Sequence, residues 1–289
     1  MRTGAKRLLV TGARGMLGQA VVAEATARGH EVDARDRSSL DITDAESVER
    51  ALTAVRPDVV VNCAAWTDVD GAETAEDDAL AINGTGAGNV AAAAAAVGAF
   101  VVHVSTDYVF DGASKRGEAW VESDPVAPLG AYGRTKLEGE RLVAAAGPDH
   151  AIVRTAWLFG PGGNNFVDTM RRLGSEREEL QVVADQVGCP TFTGHLAEAL
   201  ITIAERRSPG IHHAAGGGAC SWFDLALATF EATGTRVRVM PVTTDAFPRP
   251  AARPAWSVLG SERPDAVRLP DWREGLRAHL ITTAQEIPA

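Results

Sequence analysis

Lys6-Arg7-Leu8-Leu9-Val10-Thr11-Gly12-Ala13-Arg14-Gly15-Met16-Leu17-Gly18 is a short apolar run that ends in a glycine turn, and helical character follows from Gln19 to Arg28. Strand, glycine turn and helix in that order are the context in which a dinucleotide fingerprint is read. Glycines let the backbone approach a pyrophosphate, and a helix amino terminus offers unpaired N–H groups with a partial positive charge. Gly12, Arg14, Gly15, Met16 and Leu17 are therefore candidates for holding a dinucleotide. A plain tight turn is the competing reading.

Moving outward, Glu31 to Arg35 reads as a second strand, whose end is where an adenosine ribose is recognised. Asp36 could bind the two ribose hydroxyls of NAD, whereas Arg14, Arg35 and Arg37 could hold the extra phosphate of NADP. Three arginines against one carboxylate tilt the reading to NADPH, with NADH possible. Asp41 and Ile42 precede a helix near residues 45–55, for which Thr43 or Asp44 is a natural cap. Residues 57–62 form a third apolar run, and the small Ala64 and Ala65 beyond it leave room for a ligand; these four join the cofactor candidates. An alanine-rich helix is predicted over residues 75–97, inside which Asn83 is expected to be exposed or locally bonded. A fourth strand over 99–105 would bring Ser105 and Thr106 to the edge where ligands sit, and a further strand is expected near 150–155. This alternation predicts an α/β fold: a doubly wound parallel sheet of the Rossmann type.

Beyond Arg154 the repeat fades, and a smaller α+β lobe is expected. The division places residues 1–155, with about 190–207, in the dinucleotide-binding domain, and 156–189 with 208–289 in a substrate lobe. Within the latter, the proline-rich stretch Pro248 to Pro254 carries Arg249 and Arg253, which could grip a diphosphate.

Composition sets limits on function. With 45% hydrophobic and 23% charged residues the chain reads as an ordinary soluble globular protein. A formal charge of -10 and a pI near 5.2 argue against nucleic-acid or anionic-membrane partners. Cys63, Cys189 and Cys220 match no metal-ligand spacing and read as free thiols in a reducing compartment. The histidines form no metal-binding pattern, so no metal is expected. No signal-peptide or membrane-spanning run is recognised, and a cytoplasmic location follows as the expectation.

The strongest chemical signal is Tyr132-Gly133-Arg134-Thr135-Lys136. The chain has two tyrosines, Tyr108 and Tyr132, and its lysines are Lys6, Lys115 and Lys136. Residues four apart on a helix share a face, so the ammonium could sit near the phenol and pull its pKa down toward the working range. Arginine cannot replace a lysine in that role.

Together, the glycine turn, Ser105-Thr106-Asp107-Tyr108 and the Tyr132–Lys136 pair resemble the extended short-chain dehydrogenase/reductase superfamily. Thr106-Asp107-Tyr108-Val109-Phe110-Asp111-Gly112, Tyr132 to Glu140, Arg154-Thr155-Ala156-Trp157, Asn164-Asn165-Phe166 and Asp185 to Thr191 are similar to the dTDP-4-dehydrorhamnose reductase family. The resemblance implies reduction of a dTDP-4-keto-6-deoxyhexose with NADPH or NADH. It implies Tyr132 as proton donor, Lys136 as the group on the nicotinamide ribose, and Thr106 as a hydrogen-bond donor to the reacting oxygen. It places Val69, Tyr108 and Trp157 along the sugar, and Asn165, Gln186 and Arg253 on the nucleotide-sugar side. Some family members bind Mg2+ through glutamates at a dimer interface; here Ala20 and Gly194 occupy those places, so no metal is expected and the protein would be a monomer or a homodimer. Trp256 stands where asparagine or tyrosine is common, which leaves room for a related 4-ketoreductase of natural-product sugar biosynthesis. Two further functions compete with reduction: a nucleotide-sugar epimerase or dehydratase with tightly held NAD, and a non-catalytic NADP-binding regulatory subunit.

Overall fold

The structure is a computed structural model that describes residues 4–113 and 117–285, so Lys115 lies outside the described residues. In chain order it runs β1 (Arg7–Thr11), α1 (Met16–Ala27), β2 (Glu31–Arg35), α2 (Ala45–Val55), β3 (Val59–Asn62), α3 (Glu76–Leu80), a π-helical turn (Ala81–Gly86), α4 (Ala87–Val97), β4 (Phe100–Thr106), α5 (Ala131–Ala145) and β5 (His150–Thr155). Then follow β6 (Leu158–Phe159), α6 (Phe166–Glu176), β7 (Glu179–Val183), β8 (Val187–Gly188), β9 (Thr191–Phe192), α7 (Thr193–Arg206), β10 (Gly210–His213), β11 (Cys220–Ser221), α8 (Trp222–Thr233), β12 (Arg238–Val242) and α9 (Trp272–Gln285).

Six strands pair in the order β10-β5-β4-β3-β1-β2, all parallel. Strands buried on both faces need continuous apolar runs, and Leu8, Leu9, Val10 and Val59 to Val61 supply them, each at most 1% exposed. On one face, Leu17, Val21 and Ala25 of α1 and Leu196, Leu200 and Ile203 of α7 cover the sheet. On the other, Val48 and Leu52 of α2, Val90 and Ala94 of α4 and Val143 of α5 do so. The sheet is therefore doubly wound, as the alternating pattern predicts. β10 lies in the 208–289 range assigned above to the smaller lobe, yet it pairs with β5 and belongs to the large sheet.

The helical run Glu76–Val97 is long and apolar enough to cross a membrane by length and composition. Here it packs between α2 and α5 as a core helix. Asn83 differs from expectation: it is fully buried in the π-helical turn. Its amide oxygen accepts from Trp66 N at 2.9 Å, and its nitrogen donates to Trp66 O at 3.2 Å and Thr135 Oγ1 at 3.1 Å. The widened turn lets that side chain reach both the β3 loop and α5.

Beyond β5 the chain builds two further apolar clusters, around Phe159, Leu225, Trp272 and Leu276 and around Met170, Leu180, Val182 and Phe230. β12, which has no clear sequence signature, runs parallel to β7 across five paired residues.

Candidate active site

From β1 the chain passes to β2 on one side and returns to β3 on the other, so the loops after β1 and β3 part at the carboxyl edge. Such a switch point is where open α/β sheets bind ligands. Gly12 lies there with φ +64, and a Cβ on it would stand 2.7 Å from Ala64 N. A Cβ on Gly18 would meet Gly12 O at 2.2 Å, so the third glycine lets α1 close onto the turn. Helix α1 begins at Met16, earlier than expected, and its cap Gly15 makes no side-chain bond to the first-turn N–H groups. A backbone cradle with open N–H donors fits a dinucleotide pyrophosphate. Ala65 is half-buried in the loop beyond Ala64.

At the ribose end the three arginines separate. Arg14 Nε pairs with Asp36 at 2.7 Å and its side chain is 84% exposed. Arg35 turns to Asp33, two residues back on the same face of β2. Arg37 is exposed, and its charge helps hold the Asp41 carboxyl below its usual range after the Thr43 backbone and hydroxyl bonds. Asp36 is drawn down to about 2 by the hydroxyls of Ser38 and Ser39, with smaller help from Arg14. Ile42 is 4% exposed and sits in the core, its carbonyl accepting from Asn89 at 3.0 Å.

β4 delivers Thr106, and α5 delivers Tyr132 and Lys136, to the same edge. Successive strand residues face opposite ways. Ser105 consequently does not share Thr106's position: its hydroxyl donates to Glu140 Oε1 at 2.5 Å, away from any substrate. Tyr132 keeps part of its surface open, but the protein around its ring removes enough water to push the phenol up to about 12; the Thr106 hydroxyl beside it works against that shift. The Lys136 ammonium, 2% exposed, donates to Val104 O at 2.7 Å. Burial draws it down to about 8 while Glu140 one turn along α5 pulls the other way. In this arrangement burial outweighs the Thr106 hydroxyl in setting the phenol's pKa. The Lys136 ammonium gives one of its three N–H groups to the Val104 carbonyl.

Three acidic groups missed by the sequence reading complete the site. Glu140 clasps Arg154 through both oxygens at 2.9 and 2.7 Å. Its position four residues after Lys136 was the available signal. Asp107 is 2% exposed; burial raises its carboxyl to about 6, against the hydroxyls of Ser257 and Thr106, the latter 3.0 Å from Oδ1. Glu73 Oε1 accepts from Ala131 N at 2.8 Å, supplying α5 with the cap that Gly130 cannot.

Around this centre, Tyr108 meets Tyr132 edge to face at 5.5 Å. Trp157 stacks on Trp222 with centroids 3.5 Å apart. Gln186 binds Trp222 Nε1 at 3.1 Å and Thr244 Oγ1 at 3.0 Å. Val69 is half-buried on the loop that also carries Asp70, and Asp70 pairs with Arg253 at 3.0 Å. Asn165 is placed differently from the rest: it caps α6, and its amide is engaged by Gly160 O, Gly163 O and Asp168. A bond from Asn165 to a ligand would need one of these to be released.

The family model described as the RmlD substrate binding domain matches residues 6–285. A dTDP-4-dehydrorhamnose reductase of Mycolicibacterium smegmatis is 49% identical over 279 residues, covering 94% of this chain and 84% of that protein. A dTDP-4-keto-6-deoxy-D-glucose reductase of Streptomyces niveus is 43% identical over 270 residues, covering 93% and 90%. Among solved structures, the dTDP-4-dehydrorhamnose reductase of Bacillus anthracis in complex with NADP superposes with a TM-score of 0.93 at 40% identity, covering 96% of this chain and 100% of that one.

Proposed function

The chain belongs to the RmlD substrate-binding domain family, and on that premise we propose that it reduces the 4-keto group of dTDP-4-dehydro-6-deoxy-L-mannose (dTDP-4-dehydrorhamnose) with NADPH, giving dTDP-L-rhamnose. The observation that carries this reading is the meeting of the Thr106 hydroxyl and the Tyr132 phenol at the carboxyl edge of the sheet, with Lys136 one turn further along α5. A nicotinamide dinucleotide suits the cradle at Gly12, Gly15 and Ala64, and Arg14 is an exposed cation paired with Asp36 just beyond β2. NADPH held there supplies the hydride that adds to the carbonyl carbon.

The chain's own groups handle the oxygen. As charge builds on it, Thr106 donates a hydrogen bond and Tyr132 transfers its phenolic proton, leaving an alcohol and a phenolate that Lys136 and Thr106 stabilise. A phenol near 12 is fully protonated at neutral pH, which is the state a reductase needs at the start. Lys136, near 8, remains mostly cationic there. Tyr108, Trp157 and Val69 would wall the hexose, while Gln186, Asn165 and Arg253 would lie toward the nucleotide. The division into a dinucleotide-binding domain and a substrate lobe, a cytoplasmic location, and a monomeric or homodimeric state free of metal belong to the same proposal.

The test is NADPH oxidation with the 4-keto sugar made from dTDP-glucose by the upstream dehydratase and epimerase. Oxidation that requires the epimerase, with dTDP-L-rhamnose as product, is the expected result. No oxidation with or without it would sink the reading. A second reading, reduction of the D-configured sugar, is favoured by Trp256, whose indole donates to Glu118 O at 2.6 Å and packs as a large ring against the cluster of Val109, Phe110 and Trp120. Oxidation without the epimerase would select it.

A further inference from the structure

One short segment, Asp70-Gly71-Ala72-Glu73-Thr74-Ala75-Glu76, reaches two separate parts of the site. Its carboxylates stand three residues apart. Glu76 clasps Arg134 of α5 through both oxygens at 2.8 Å, and Glu73 caps Ala131 at the start of the same helix. Asp70 points elsewhere. Its Oδ2 lies 3.0 Å from Arg253 Nη2 and its Oδ1 accepts from Ala251 N at 3.2 Å. Arg253 Nη1 in turn donates to Ala251 O at 2.8 Å. These three contacts close a ring of aspartate, arginine and backbone that ties the Asp70 loop to a proline-flanked turn, with Arg253 18% and Asp70 25% exposed. Arg249, 3.8 Å from the same oxygen, adds a second cation.

We propose that Asp70 is a positioning residue for substrate: it fixes Arg253 and the Ala251 turn so that the guanidinium presents its remaining N–H groups to the diphosphate of a nucleotide sugar. The inference rests on the ketoreductase reading above. A guanidinium has five N–H donors, and the ring engages one on each terminal nitrogen, so three stay available. An arginine oriented in advance loses less freedom on binding than one on a mobile loop. Burial works to raise the Asp70 carboxyl, but the Arg253 hydrogen bond, the Ala251 N–H and the two cations hold it below its usual range, so it stays charged at neutral pH. Because Asp70 shares its segment with the cap of the Tyr132 helix, the diphosphate grip and the proton donor are held from one piece of chain.

The experiment compares wild type, Asp70→Asn, Asp70→Ser, Arg253→Ala and the double variant Asp70→Asn/Arg253→Ala. It measures calorimetric affinity for free dTDP, KM and kcat for the ketosugar, KM for NADPH, and the melting temperature. Expected for Asp70→Asn is a roughly tenfold loss of dTDP affinity and a matching rise in ketosugar KM, with a much smaller change in kcat and in NADPH KM, as one charge-assisted contact is released. In the Arg253→Ala background the same substitution should change dTDP affinity by less than about twofold, since the two act through one another. Asp70→Ser guards against an effect peculiar to the amide. Unchanged dTDP affinity in both single Asp70 variants, tighter binding, or an equal loss without Arg253 would each overturn the proposal while leaving the reductase reading intact. A wild type that binds dTDP but oxidises no NADPH would remove the reductase reading and leave the positioning role standing.

Discussion

Glu140 of α5 and Arg154 of β5 form a two-pronged ion pair in which the side chains are 5% and 3% exposed, and the same carboxylate faces Lys136. One buried charge thus serves the fold and the site. Removing it leaves the Arg154 guanidinium without its partner, so Glu140→Gln is expected to cost about 3–5 kcal/mol in urea unfolding. It should also lower the Lys136 pKa, because Glu140 is what holds it up against burial. The alkaline limb of kcat/KM, expected near 8 in the wild type, should move to lower pH.

Tyr132→Phe keeps the ring and its edge contact with Tyr108 but removes the proton. Turnover should fall on the order of 10²-fold or more while NADPH affinity, read by fluorescence titration, stays close to wild type. Thr106→Val should lose a comparable factor through the missing donor to the developing oxyanion.

The ribose end offers a test among the arginines. Arg14→Ala should raise the KM for NADPH roughly tenfold and leave that for NADH little changed, the size expected for one hydrogen bond to a charged group. Arg35→Ala should affect neither, since its guanidinium is turned to Asp33.

Asp107 gives stability a pH dependence of predictable sign. Its folded pKa, about 6, lies above the unfolded value, so the contribution is fully present below about pH 4 and is lost as pH rises through 6. The shift corresponds to roughly 2–3 kcal/mol. Asp107→Asn should therefore flatten the loss of urea midpoint between about pH 4 and 6 relative to wild type. Parallel curves for the two proteins would contradict this.

The order of the elements was legible because β1, β3 and β4 are largely apolar runs bounded by turns, and because β3 runs into small residues and β4 ends in hydroxyl ones. Tyr132 and Lys136 stood out because lysine and tyrosine are so scarce here that their spacing is conspicuous, and Thr106 because it ends the fourth strand. What sequence could not supply was direction. Ser105 and Thr106 look equivalent in a motif, yet strand alternation sends one into the core. The pairing of Lys136 with Tyr132 could be read from their spacing, but the bond from its ammonium to the Val104 carbonyl could not. Asn83 looked like a surface residue because nothing in an alanine-rich stretch announces a π-helical turn. Glu73 and Asp70 were hidden for a different reason: their partners, Ala131 and Arg253, lie 58 and 183 positions away along the chain.

The π-helical turn at Ala81–Gly86 limits how such a chain can be edited. A helix acquires a bulge of this kind through one extra residue, and every position after it is rotated by about 100° relative to those before. Before it, Ala79 packs in a cluster with Ala72 and Ala131; after it, Val90, Ala91 and Ala94 face the sheet. A single-residue deletion here would put the two halves out of phase. The chain would then keep either Asn83 on Trp66 or Val90 in the core, and only a compensating insertion within the same turn would restore both.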